Sequence, residues 1–476
     1  MSLREQLSRR KPIVPPTPHP GGLERRIGTF QLSMIGVGAT VGTGIFFVMH
    51  EAVPLAGPAV LISFILAGLA AGLSALCYAE MASAVPVSGS SYSYAYATLG
   101  EGVAMLVAAC LVLEYGVSTA AVASGWSGYL NLLLDDLFGW RIPPELSAAP
   151  AEGGIINLPA IVLVGMCMLL LLRGTRESTT VNAIMVMIKL SVLVMFVLVA
   201  LTAFNADHFA DFAPMGVKGI TAAAGTIFFT FIGLDAVSTA GDEVKDPQRT
   251  LPKAILIALV VVVTIYIGVA IAAIGAQPWQ EFSDPSQQEA GLAVILSNIV
   301  ASDWPVTVFS AGAVISIFSV TLVTLFAQSR ILFTVGRDGL LPRAFKQVNP
   351  RTHTPEFATI VVACIVAVLT GFIPLSSLWD LVSLGTLVAF IVVAIGVMVL
   401  RRTRPDLPRG FKVPWFPVIP ILSIIACGYL MTGLPGTAYF WFFVWLAVVV
   451  TFYLLWGRRH SVLGDPVAEA LEEAGE

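Results

Sequence analysis

Charge is scarce in this chain. Asp, Glu, Lys and Arg make up 12% of its 476 residues, against 57% hydrophobic, where a soluble domain carries about 25% charged residues. That balance excludes an ordinary soluble domain. Cysteine is rare too: Cys77, Cys110, Cys167, Cys364 and Cys427 are all there is. Each lies in an apolar stretch, which argues against a disulfide framework or a metal cluster. No nucleophile–base pair or metal-ligand grouping stands in any apolar stretch, so an enzyme is not expected. The opening segment is polar and proline-rich and lacks the apolar core of a signal peptide. No loop has room for a soluble domain, and nothing suggests a nucleic-acid partner.

What the chain has is apolar length. Stretches near the roughly 20 residues that span a bilayer recur at about 29–50, 58–82, 102–132, 155–173, 181–204, 219–241, 252–276, 305–334, 357–373, 378–400, 417–434 and 438–457. The expected fold is an all-α integral membrane protein of twelve transmembrane helices. A single transmembrane domain over 27–457 would lie between a tail at 1–26 and another at 458–476. With both termini and the even-numbered connections cytoplasmic, all but three of the 26 lysines and arginines fall inside. Arg141 and Lys218 lie outside and Lys189 lies within a span, whereas the outer loops are acidic (Asp135, Glu152, Glu281, Asp303). This bias predicts a multi-pass protein of the plasma or inner membrane with both ends in the cytoplasm.

The first span carries Gly36, Gly38, Gly42 and Gly44. Each glycine costs a helix about 1 kcal/mol relative to alanine, and each lets a ligand approach the backbone. The run reads either as close helix packing through small residues or as a broken helix whose freed groups are satisfied in a binding site. Span six, Gly225 to Thr239, is interrupted by Gly233 and an intramembrane Asp235. It lies five spans after the first, so the two cross the membrane in opposite directions. Paired interruptions of this kind signal an inverted repeat with the site between them.

Three polar features accompany the breaks. Glu114 in span three lies roughly 18 Å deep by helical rise, where a carboxylate must be paired, protonated or facing water; a purely structural acid is the alternative. Lys189 in span five is the one basic residue away from an interface. It either snorkels to the inner surface or stands in for a bound cation and exchanges a proton. In span eight, Thr321, Thr324 and Gln328 share a helix face, for interhelical bonding or for a site. The linker after span two, with Tyr92, Tyr94 and Tyr96 and no basic residue, suggests a segment tucked into the protein.

Taken in order, these residues resemble the amino acid–polyamine–organocation transporter superfamily, and within it the bacterial-type members of the cationic amino acid transporter family. The likeness runs through Gly42-Thr43-Gly44-Ile45-Phe46, Tyr78-Ala79-Glu80 with Pro86, and Leu113-Glu114-Tyr115. It continues through Phe229 to Asp235, Asp246-Pro247-Gln248-Arg249, Gln328-Ser329-Arg330, and Arg337-Asp338-Gly339-Leu340-Leu341-Pro342. The resemblance implies a five-plus-five inverted repeat (about 29–204 and 219–400) with discontinuous helices one and six, and two further helices over 417–457. It implies that the substrate carboxylate meets Thr43 and Gly44, with Gly42 allowing close approach. The α-ammonium would meet carbonyls of Thr40, Val41 and the segment Phe229-Thr230-Phe231-Ile232, with Phe229 as a gate. Lys189 matches the lysine that replaces a sodium ion in sodium-coupled relatives, so the proton is the expected coupling ion and sodium is not. Glu114 and Thr324 fall where the substrate side chain projects, and Asp235 belongs to an inner gate or a proton route.

The expected function is uptake of cationic or small neutral L-amino acids, coupled to protons. The alternatives are an exchanger of amino acids or amines without proton coupling and a transporter-like amino-acid sensor. The expected partners are a small-molecule substrate and the lipid bilayer, with no cofactor besides the proton.

Overall fold

The computed structural model describes residues 3–13, 27–86, 89–173, 179–239, 244–284, 291–300, 304–349, 352 and 354–464. Among them all regular structure is helical, apart from an isolated parallel bridge between Ile27 and Val244. In chain order the helices are α1 (Leu3–Leu7), α2 (Thr29–Thr40), α3 (Thr43–Ala56), α4 (Val60–Ala84), α5 (Ser90–Thr98) and α6 (Glu101–Val112). A wide π-type turn, Leu113–Val117, joins α6 to α7 (Ser118–Phe138). There follow α8 (Pro144–Ser147), α9 (Leu158–Leu172), α10 (Thr179–Ala200) and α11 (Gly216–Ile227). α11 tightens into a 3-10 turn at Phe228–Phe231 before α12 (Ala236–Thr239). The rest are α13 (Pro247–Ala276), α14 (Gly291–Ile299), α15 (Trp304–Arg337), α16 (Glu356–Phe372), α17 (Leu375–Thr403), α18 (Val418–Met431), α19 (Gly436–Phe452) and α20 (Arg458–His460).

Local chemistry accounts for the boundaries. Pro247 opens α13, where a missing N–H costs nothing. Asn157 caps α9 by accepting the Ala160 N–H. Gly139, at φ +62°, closes α7 in the left-handed conformation.

Among the described residues, eight helical runs are long and apolar enough to cross a bilayer, and three shorter apolar helices accompany them. One of the eight, Gly44–Ala84, takes in α3, which covers the second half of the first expected stretch, and α4, which covers the second, joined through the turn at Gly57. The polarity of the molecule is inverted. Ile65, Leu69, Val260, Val368, Phe440 and Trp441 are each more than half exposed, while Ser74, Thr119, Ser316, Thr321 and Thr386 are fully buried. Helices in lipid pack this way because their surroundings are as apolar as leucine.

The helices sort into two mutually packed groups. In one, α13 lies along α4 and α2, and α11 along α3 and α4; in the other, α15 lies along α7, and α9 along α16. α10 touches both, through α2, α13 and α15. The two breaks in the first group face the second.

Candidate functional site

The first break is Val41-Gly42, between α2 and α3. Ending α2 there frees carbonyls that no amide reaches. Lys189 takes two of them, with Nζ 2.9 Å from the Gly38 oxygen and 3.1 Å from that of Val41. Lys189 is fully buried, so it does not snorkel. Its ammonium sits at the negative end of α2, where a cation is favoured. α3 restarts at Gly42 without a side-chain cap, which leaves its first-turn amides available to an anion. Of Thr43 only the backbone belongs to the described structure; its side chain lies outside it.

The second break follows the 3-10 turn. Ile232 is extended and Gly233 has φ +99°. The two breaks pack back to back. A Cβ built on Gly233 would lie 2.8 Å from the carbonyl carbon and oxygen of Ala39, and one on Gly44 would lie 3.0 Å from Thr230 Cα. The Tyr266 hydroxyl bridges them, 3.0 Å from the Thr40 oxygen and 2.9 Å from the Thr230 oxygen. Thus Lys189 and Tyr266, from two different neighbouring helices, stand in for the helical hydrogen bonds that the breaks forgo.

Between the breaks and the second helix group lies a cavity of about 30 Å³. That is room for one or two waters, so the conformation is a closed one. The structure brings Thr40, Gly42, Gly44, Phe229, Thr230 and Ile232 to its wall, with Thr324 opposite. Val41, Glu114 and Phe231 do not line it, nor do Lys189 and Asp235. Gly42 faces α15: a Cβ there would lie 3.1 Å from Val320 Cγ1. Ala39, Tyr115, Ser118, Val122, Gly233, Ala236, Val320 and Val323 complete the wall; none of them was singled out as a site residue from the sequence, and neither was Tyr266. A lone tyrosine within the apolar run of α13 was the available signal, since a hydroxyl at that depth must find an acceptor. Among the described residues no charged side chain lines the cavity.

Glu114 sits behind that wall. Tyr115 faces the cavity, while the Glu114 carboxyl lies beside Asp235 and near Thr386. Asp235 Oδ2 accepts from Ser90 Oγ at 2.9 Å and from the Tyr115 hydroxyl at 3.0 Å. Among the described residues no hydrogen-bond donor is directed at either oxygen of Glu114 or at Oδ1 of Asp235; the nearby Thr386 hydroxyl donates to the Val382 oxygen at 3.1 Å instead. Tyr115 therefore connects the cavity to a buried acid pair. The α15 stripe divides: Thr324 reaches the cavity and bonds with Thr119 at 2.9 Å, whereas Gln328 donates to the Val112 oxygen at 3.1 Å. Among the described residues no three His, Cys, Asp or Glu converge as a metal site would require.

The family model described as amino acid permease matches residues 27–457. The chain is 41% identical to a methylthioribose transporter of Bacillus subtilis (strain 168), over 93% of this chain and 95% of that one. It is also 41% identical to the branched-chain amino acid permease BcaP of the same organism, with the same coverage. To the vacuolar cationic amino acid transporter 4 of Arabidopsis thaliana it is 35% identical, over 81% of this chain and 65% of that protein.

Proposed function

The chain belongs to the amino acid permease family, a family of multi-pass membrane transporters, and on that premise we propose that it carries amino acids into the cell by alternating access, with a proton as coupling ion and without sodium. The observation that carries the proposal is the cavity bounded by two helix breaks, with the Lys189 ammonium on the carbonyls of the first. The substrate carboxylate binds the uncapped first turn of α3, and its α-ammonium binds carbonyls of Thr40 and the 229–232 segment. Lys189 closes the first break while protonated; deprotonation releases the Gly38 and Val41 oxygens and loosens it. The architecture proposed is twelve spans, a five-plus-five inverted repeat within 27–457, both termini cytoplasmic, in the plasma membrane.

The wall favours an uncharged substrate side chain. It is built from aliphatic residues such as Val320 and Ile232, glycines, hydroxyl-bearing residues and Phe229, and a cationic side chain buried there without a counter-charge costs several kcal/mol. The acid expected to receive it, Glu114, is turned to Asp235. Inside-negative potential would help a cation inward by about 2.3 kcal/mol per 100 mV, which is less than that cost. One relative's name supports a second reading. A methylthioribose transporter is as similar as the branched-chain permease, so a neutral thioether sugar is a rival substrate.

A thermal-shift screen of the purified protein separates them, because a ligand stabilises the state it binds. Alanine, valine or leucine should raise the unfolding midpoint more than lysine or arginine. A shift with methylthioribose alone would replace the amino-acid reading.

A further inference from the structure

Two buried acids on the face that carries both chain ends play no part in the site above. Asp338, just beyond α15, receives Lys11 Nζ on Oδ1 and the Tyr92 hydroxyl on Oδ2, each at 2.7 Å. Glu101, the first residue of α6, receives the hydroxyls of Tyr96 at 3.0 Å and Tyr453 at 2.8 Å, and that of Ser461. Each acid thus joins a tyrosine of α5 to one end of the chain. The backbone adds the crossed joins: the Glu101 N–H donates to the Arg9 oxygen at 2.8 Å and the Val462 N–H to the Asp338 oxygen at 3.1 Å, while the Lys11 N–H donates to the Tyr96 oxygen at 3.2 Å.

Glycines shape the seats. A Cβ on Gly100 would lie 2.8 Å from the Leu7 oxygen, one on Gly102 would lie 2.7 Å from Leu7 Cδ2, and one on Gly339 would lie 2.1 Å from the His460 oxygen. Gly100 and Gly339 also have φ of +107° and +81°, which a side chain would strain.

The first residue of α5, two before Tyr92, reaches the second break. Ser90 donates to Asp235 at 2.9 Å and accepts from the Ser238 hydroxyl at 3.2 Å. α5 is nine buried or nearly buried residues, Ser90–Thr98, about 13 Å of helix. It is therefore a short helix that meets the segment 9–11 along its length, at Tyr92 through Asp338 and at Tyr96, and meets the second break at Ser90. A displacement of α12 must either break the Ser90 contacts or carry α5 with it and disturb the contacts of Tyr92 with Asp338 and of Tyr96 with Glu101.

We propose that residues 3–13 form a strap that, acting through α5, holds the second break in its closed conformation, so that release of Lys11 from Asp338 favours opening of the site towards the face carrying the termini. The strap works as a bias on populations. Its ion pair is partly exposed, with the Lys11 side chain at 36% and Asp338 at 9%, so salt and competing charges reach it.

Amide hydrogen exchange on the full-length protein in detergent tests this without any substrate, so the outcome is independent of the transport reading. In Lys11→Glu, exchange at residues 90–98 and at 236–239 should both rise, by about two- to fivefold, the range a partly exposed ion pair supports. Combining Lys11→Glu with Asp338→Lys should return both to wild-type rates, and deletion of residues 2–13 should raise both further. Residues 236–239 touch α5, which also meets residues 9–11 of the strap. Faster exchange at 90–98 with wild-type rates at 236–239 would overturn the proposal, as would unchanged exchange at both in the deletion.

Discussion

Gly233 has the least freedom of any residue at the breaks. Its φ of +99° and the 2.8 Å approach of a built Cβ to the Ala39 backbone combine two penalties: strain of order 1–3 kcal/mol for the conformation and displacement of α2. Gly233→Ala should lower the thermal midpoint and weaken the stabilisation by substrate in the same screen; an unchanged midpoint would show that the two breaks do not interlock here. Glu114 leads to a different expectation. Its carboxyl lies beside Asp235 rather than on the cavity wall. Glu114→Gln should therefore depress transport of neutral and cationic substrates alike, and a loss confined to lysine and arginine would return Glu114 to the side-chain pocket. That Glu114 needs a partner within the protein was legible in the sequence, and it is fully buried, but its direction was not legible. The π-type turn at Leu113–Val117 changes the rotation of neighbouring side chains by an amount that helical counting does not supply.

At the scale of elements, both breaks were legible because they violate local rules in the open: glycines crowd an apolar helix, and an aspartate stands at membrane depth. Their supports were only half legible. Lys189 stood out as an isolated charge, whereas Tyr266 looked like any aromatic in an apolar run. The structure gives Tyr266 the Thr40 and Thr230 carbonyls at once. Tyr266→Phe removes the donor from both and leaves them buried, at a cost of about 1–3 kcal/mol. Substrate affinity should fall as the two breaks lose their common tie; wild-type affinity in this variant would assign the tie to Lys189 alone. The docking of residues 3–13 was not legible at all, because Lys11 finds its partner 327 residues away and a polar, proline-rich segment carries no periodicity that would announce a contact.

At the scale of the molecule, α4 is fastened at its end to α17 and the segment that follows it by a buried acid. Glu80, at the end of α4, receives Arg401 Nε at 2.7 Å and the Val413 N–H at 2.7 Å, with Arg409 3.5 Å away. Arg401 also stacks over Phe416. Arg401→Met leaves Glu80 buried without its main partner, a loss of about 3 kcal/mol; adding Glu80→Gln should recover part of it in thermal unfolding. A midpoint unmoved by either substitution would make the cluster incidental.

The account as a whole rests on a site that holds an amino acid at two helix breaks while Lys189 links the first break to a proton. Uptake of alanine or leucine into proteoliposomes, with and without an inward proton gradient, tests this most directly when wild type and Lys189→Ala are compared. The account predicts accumulation by wild type only with the gradient, and loss of that accumulation in the variant with counter-substrate exchange retained. Equal gradient-driven accumulation in both proteins would contradict it.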